Sequence, residues 1–267
     1  MKKGIYFFFA LILLSCSQYN KVLKSDNFDE KYDLAEQYFK KKKWNKSLAL
    51  YEHVYQRVPK SEKGQLSYFK IGKLYYEMGD FYMSGYHFGT FFDKYPYSHL
   101  TEEAFFYKAL CSVKNSPDYY LDQKDTELAL NYMQEFINLF PKSNRIDTCN
   151  VIMDELRLKL EKKNFESIKL YNKTNQYRSV VTTSKTFLNE FPLSKNKESV
   201  YEMLLDNSYY LTINSINEKK KERIDEFLKI FRNFASLYPT NSVLRAYENK
   251  KLAIEKELLD INNTTKK

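Results

Sequence analysis

Residues 58–61 read VPKS, 95–98 YPYS, 140–143 FPKS and 191–194 FPLS, and a looser copy, YPTNS, stands at 238–242. Five of the six prolines belong to this phrase, so proline here marks one recurring kind of position. The intervals between those prolines are 37, 45, 51 and 47 residues. Recurrence at that length is the signature of stacked supersecondary units. The phrase has a mechanical reading. Its first residue closes a helix on the buried face, proline stops that helix, and Ser two residues on is a good N-cap for the next. Each copy is therefore a joint, and Val58, Tyr95, Phe140, Phe191 and Tyr238 are expected to be largely buried.

Between joints the pattern is a helical hairpin. In the first, Leu34, Ala35 and Tyr38 share one helical stripe, KKKKWN at 40–45 makes the turn, and Ser47, Tyr51 and Val54 share a second stripe. The next repeats this 37 residues later with Ile71, Gly72 and Tyr75, the turn MGD at 78–80, then Ser84, Phe88 and Phe91. The small residues Ala35, Gly72, Ser47 and Ser84 sit where two helices would approach most closely. Glycine and proline number only six each, which favours long helices over a turn-rich sheet protein. With 24 Tyr and 20 Phe, aromatic side chains must build much of the core. The pattern resembles the tetratricopeptide repeat. The fold expected is all-α, a right-handed α-solenoid of about five such hairpins with a C-terminal capping helix. The units are 28–61, 62–98, 99–143, 144–194 and 195–242, the capping helix is 243–260, and 261–267 is a polar tail. The third unit keeps Ala109, Ala129, Met133 and Phe136 but carries an insertion, NSPDYYLDQKDTE, at its turn. In the fourth, the first helix starts near Arg145 and is long. The fifth places a charged turn, NEKKKER, at 217–223.

The front end differs from the rest. Lys2 and Lys3 precede an apolar run from Ile5 to Leu14, which ends at Ser15 and Cys16. Ten residues are too few for a bilayer-spanning helix, which needs about 20. A basic tip, a short apolar run and a small residue before a cut describe a signal peptide over 1–15. The sequence LLSC resembles the lipobox of bacterial lipoproteins, which implies lipid on Cys16. The mature chain would begin there, with 16–27 as a tether. Several acyl chains hold far better than one, at about 0.8 kcal/mol per buried methylene. Net charge is +9, from lysines spread along the chain. A solvated helix face explains them, and contact with acidic headgroups or an acidic partner is the alternative. Nucleic acid is not expected of an exported chain. Cys111 and Cys149 fall in different helices. Two buried thiols are expected, with a disulfide left open, and no zinc-type spacing exists.

An acylated start plus five such repeats resembles the BamD family of outer-membrane β-barrel assembly lipoproteins. The acidic excursion LDQKDTELAL and the long entry LRLKLEKKNFESIKLYNKTNQYRSVV into the fourth unit carry the resemblance best. It implies a non-enzymatic subunit on the periplasmic face of the outer membrane. Its partners would be the periplasmic domains of BamA, unfolded barrel proteins, and the bilayer through the acyl anchor. It implies no metal, and no cofactor beyond the covalent lipid. Another periplasmic tetratricopeptide scaffold, of the Tol–Pal-associated type, is the alternative. His53, His87 and His99 are the only histidines, and no phosphate loop, His-Glu-x-x-His or nucleophile elbow is present. Aligning the first three units on Ala35, Gly72 and Ala109 puts Tyr32, Phe69 and Phe106 at one equivalent position. In tetratricopeptide arrays that stripe faces the concave side. Phe39 and Tyr76 form a second column seven residues on, with Glu36 and Lys73 between the columns. These seven residues make a candidate groove for an extended peptide with alternating apolar side chains. The competing reading has the aromatics filling core.

Overall fold

The computed structural model describes residues 18–264 and, among them, contains helices and no strands. The signal peptide and Cys16 lie outside the described residues. Five hairpins follow one another: α1 Phe28–Lys40 with α2 Trp44–Arg57, α3 Glu62–Glu77 with α4 Phe81–Lys94, α5 Thr101–Asn115 with α6 Lys124–Leu139, α7 Ile146–Lys173 with α8 Tyr177–Glu190, and α9 Lys197–Ile213 with α10 Asn217–Leu237. A last helix, α11, spans Ser242–Thr264. None of the helices is long and apolar enough to cross a membrane, among the described residues. The chain divides into two compact units, through Leu156 and from Arg157 onward. In the first, each helix from α1 to α6 packs on the next. In the second, α8, α9, α10 and α11 do the same.

The five joints share one geometry. Their first residues cap the preceding helix with φ between −133° and −122° and ψ between 52° and 62°. Each donates its N–H to the carbonyl four residues back, and each carbonyl accepts the N–H three residues on, at Ser61, Ser98, Ser143, Ser194 and Asn241. The first residues are half-buried, not largely buried as the sequence reading expects. The reason is periodicity. The residue one helical turn earlier (Val54, Phe91, Phe136, Phe187, Phe234) lies on the packed face, and all five are fully buried. The outer aromatic covers the inner one, with ring centroids 5.1 Å apart for Phe91–Tyr95 and 5.2 Å for Phe136–Phe140 and Phe187–Phe191. Ser61 is a helix N-cap as expected, accepting from Gly64 N at 3.0 Å. Ser143 and Ser194 instead accept from the amides of Arg145 and Asn196, still before their helices, and donate to Glu102 and Glu161.

The turns within hairpins one, two and four also match one another. Lys42, Gly79 and Asn175 take the left-handed conformation with φ of 54°, 81° and 55°. The next residue bonds back to the carbonyl of Tyr38, Tyr75 or Tyr171, which closes each first helix. Inside hairpins one and two the close approach falls where the small residues predicted it. Ser47 Oγ donates to Ala35 O and Ser84 Oγ to Gly72 O, each at 2.9 Å. A Cβ on Gly72 would stand 3.0 Å from the Phe88 ring.

Other expectations need correcting. Residues 18–24, within the stretch expected as a tether, are helical. Tyr19, Val22 and Leu23 share one stripe there and join the core around Tyr38 and Leu50, with Val22 buried. The charged stretch 217–223 is the start of α10, and the turn is Asn214–Ile216. Lys and Glu are good helix formers, so α10 runs beyond its packed stripe, which begins at Ile224. In the third hairpin only residues 116–123 form the inserted loop, because α6 already starts at Lys124. The capping helix continues to Thr264, through much of the stretch expected as tail.

Candidate functional site

The first helices of unit one, α1, α3 and α5, carry a ladder of polar and aromatic side chains. Glu36 on α1 accepts from Tyr51 Oη at 2.5 Å and meets Lys70 Nζ of α3 at 2.9 Å. Lys70 also stands over the Phe39 ring, 4.9 Å from its centroid. One turn on, Lys73 bonds Tyr107 Oη of α5 and lies 4.0 Å from Glu103. Tyr76 packs edge-on against Tyr107 and Phe81. At the far end Arg145 reaches Glu102 at 3.6 Å and covers the Phe106 ring.

The seven expected groove residues therefore separate. Phe69 and Phe106 are buried. Phe69 is wedged edge-on between Phe88 and Phe91, and Phe106 lies against Phe136. They fill core and do not line a channel. Their stripe is one step from Gly72 and Ala109, and at that step the side chain points at the second helix of its own hairpin. Tyr32, Glu36, Phe39, Lys73 and Tyr76 remain half-buried at the surface. Glu36 and Lys73 already have internal partners, so a bound chain would have to compete for them. Lys70, Glu103 and Tyr107 belong to the same surface and were missed. A repeat-to-repeat alignment finds equivalent positions, whereas these contacts join non-equivalent ones.

Electrostatics follow the geometry. Burial alone would raise the Glu36 pKa, but the hydrogen bonds from Tyr51 and Lys70, with the Lys70 charge, hold it below its ordinary value. Burial and the neighbouring Glu36 carboxylate push Tyr32 up to about 12. A carboxyl with a depressed folded-state pKa contributes stability above its unfolded pKa of about 4.3 and loses it as pH falls through the folded value. Glu36→Gln should thus flatten the acid side of the stability–pH curve below about pH 4.3. Urea midpoints of the two proteins measured at descending pH check this. Loss of stability running parallel in both would remove Glu36 from the account.

His87 is half-buried, stacked on Tyr75 at 5.1 Å, and burial pushes its pKa down. Cys111 and Cys149 are both free and buried, and burial raises both thiols, Cys111 to about 11. Among the described residues no group of three or more His, Cys, Asp or Glu is placed to hold a metal ion.

A family model described as outer membrane lipoprotein, YfiO, matches residues 24–251. The chain belongs to that family. It is the BamD family that the sequence resembles, and the match runs through all five hairpins into α11. Family membership makes the chain an outer membrane lipoprotein of the group tied to outer membrane protein assembly. No curated protein matches it. Among solved structures it is similar to a thermophilic TPR protein of Thermus thermophilus, at 13% identity over 85% of this chain and 99% of that one, with a TM-score of 0.34. It is also similar to kinesin light chain TPR-like repeats of Podospora anserina, at 10% identity over 79% of this chain and 96% of that one, with a TM-score of 0.34.

Proposed function

We propose that the chain is a non-enzymatic subunit of the outer-membrane β-barrel assembly machinery. It binds the periplasmic domains of BamA and receives unfolded barrel proteins, and lipid on Cys16 holds it to the periplasmic face of the outer membrane. The family match over residues 24–251 carries this reading. The first-helix surface supports the client half of it. Tyr32, Phe39, Tyr76 and Tyr107 present half-buried rings beside Lys70, Lys73 and Glu103. Such a surface suits an extended chain with alternating apolar side chains and a few polar groups. No cofactor is required beyond the lipid.

A photo-crosslinker at Tyr76 tests the client surface. It should capture an unfolded barrel protein in larger yield than the same group at Lys162 on α7. Affinity purification from solubilised outer membranes should bring down a barrel protein with several periplasmic repeats, and Cys16→Ala should leave the membrane fraction. Recovery of Tol–Pal components in its place would move the chain to another scaffold. Equal adducts at both crosslinker positions would remove the client role from this surface.

A further inference from the structure

Unit one also holds a cleft on its second helices, apart from the first-helix surface except where Tyr76 packs against Phe81 of its lining. It is about 400 Å³ in volume and runs along the whole of α4, between that helix, α5 and α6. Its floor on α4 is made by Gly85 and Gly89, one turn apart. A glycine inside a helix costs about 1 kcal/mol relative to alanine. At Gly89 packing does not require one, because an added Cβ would meet only the flexible Lys108 stem, Cδ at 3.7 Å and Cε at 3.8 Å, both ordinary contacts. Its effect is to keep the cleft open.

The rim has a distinct chemistry. Tyr82 and Tyr86 are 69% and 64% exposed, large apolar surfaces left in water on the same helix. Asp125 lies at the Tyr82 end, 3.4 Å from its hydroxyl. Asp93 lies at the other end of α4. Neither carboxylate has a cation within 4.0 Å among the described residues, in a chain whose net charge is +9. Lys108, the cation in the lining, turns its head onto the Phe105 and Tyr132 rings at 4.8 and 4.2 Å. The inserted loop 116–123 joins Asn115 and Asp125 of the lining and is held by internal hydrogen bonds. Buried Gln123 donates to the carbonyls of Asp118 and Leu121.

We infer that this cleft is a docking site for an extended segment of a partner protein in which basic residues flank apolar ones. Charge complementarity selects the occupant. Two carboxylates without a cationic partner, at the ends of an aromatic trough, attract lysine or arginine, and the tyrosine faces accept both their aliphatic stems and their charge. Residues 82 to 93 span roughly 16 Å at helical rise. An extended chain covers that distance in about five residues, and because its side chains alternate between faces, a separation of about six puts two basic side chains on one face with enough reach. This site is independent of the proposed client surface and does not rest on it.

Fluorescence anisotropy with a labelled peptide Gly-Lys-Thr-Leu-Thr-Leu-Thr-Lys-Gly, whose lysines and leucines share one face when extended, tests the inference. The full chain should bind it, and should bind the version with Glu for both Lys at least about tenfold more weakly. The double variant Asp93→Lys with Asp125→Lys should weaken the lysine peptide by a similar factor. Gly89→Leu, which fills the trough, should do the same with an unchanged helical circular dichroism spectrum. If Gly89→Leu does not fold, the charge-reversal pair alone decides. Equal binding of the two peptides, binding untouched by the charge reversals, or no binding of the lysine peptide would overturn the proposal. So would self-association of the chain that the charge reversals abolish while the peptide fails to bind, which would give the cleft to a second copy.

Discussion

Phe136→Ala should destabilise the first unit by about 3–5 kcal/mol, the usual range for emptying a buried aromatic site. Its ring is fully buried, with ring centroids of Phe106, Phe140 and Phe105 at 5.3, 5.2 and 6.5 Å. These neighbours belong to α5 and to the joint, so the void would open where hairpin three holds together. Relaxation is limited because Phe140 is fixed by its own N–H bond to the Phe136 carbonyl at 2.9 Å. Phe140→Ala should cost markedly less, on the order of 1–2 kcal/mol, since the half-buried ring forfeits only part of its transfer energy. Equilibrium urea denaturation of the two variants decides between them. Equal losses would show that the outer residue of the joint carries the packing, as the sequence phrase alone suggests.

That contrast marks what was legible in the sequence. Proline cannot continue a helix past its first turn, so the five joints and the long α7 could be read, whereas the turns inside hairpins three and five could not. Burial within a joint could not, because the conspicuous residue next to proline is the cap and the packed residue lies one turn earlier, at Phe91, Phe136 or Phe187. The small-residue rule worked at Ala35 and Gly72, where steric closeness leaves no other choice. It then misled one step away. Phe69 and Phe106 share a repeat position with half-buried Tyr32, and sequence spacing does not separate a ring that faces its own hairpin from one at the rim. Of the left-handed turn residues Lys42, Gly79 and Asn175, the glycine and the asparagine advertise themselves and the lysine does not. Lys42 takes the same conformation inside a run of four lysines, because closure of the helix on Tyr38 demands it. The second-helix cleft had a signal, glycines at 85 and 89 in a helix interior, which the repeat alignment does not weigh.

Gly64→Ala should be the most damaging of the small substitutions, although alanine is the better helix former. Gly64 sits in the first turn of α3, buried, directly beneath the first joint. A Cβ there would fall 1.9 Å from the Val58 carbonyl oxygen, 2.8 Å from its carbon and 3.0 Å from Pro59 Cα. All three are backbone atoms, so no side chain can swing aside. The same carbonyl accepts from Ser61 N at 3.0 Å and Ser61 Oγ at 2.8 Å, and Ser61 Oγ caps Gly64 N. Moving the joint to make room strains this cap. Overpacking of this kind costs about 1–3 kcal/mol and a lost cap about 1 more, which outweighs the ~1 kcal/mol that alanine returns in propensity. A net loss of about 1–3 kcal/mol is expected. The second joint shows the alternative solution. Thr101, also five residues after its proline, donates its hydroxyl to the Tyr95 carbonyl at 2.6 Å and leaves space for a branched side chain. Gly89→Ala is the internal control, because its Cβ meets only the end of Lys108 and it should gain up to ~1 kcal/mol. Thermal melts of the two variants should therefore move in opposite directions from the parent. A Gly64→Ala protein that melts at or above the parent would mean that the first joint does not press on α3 as closely as described.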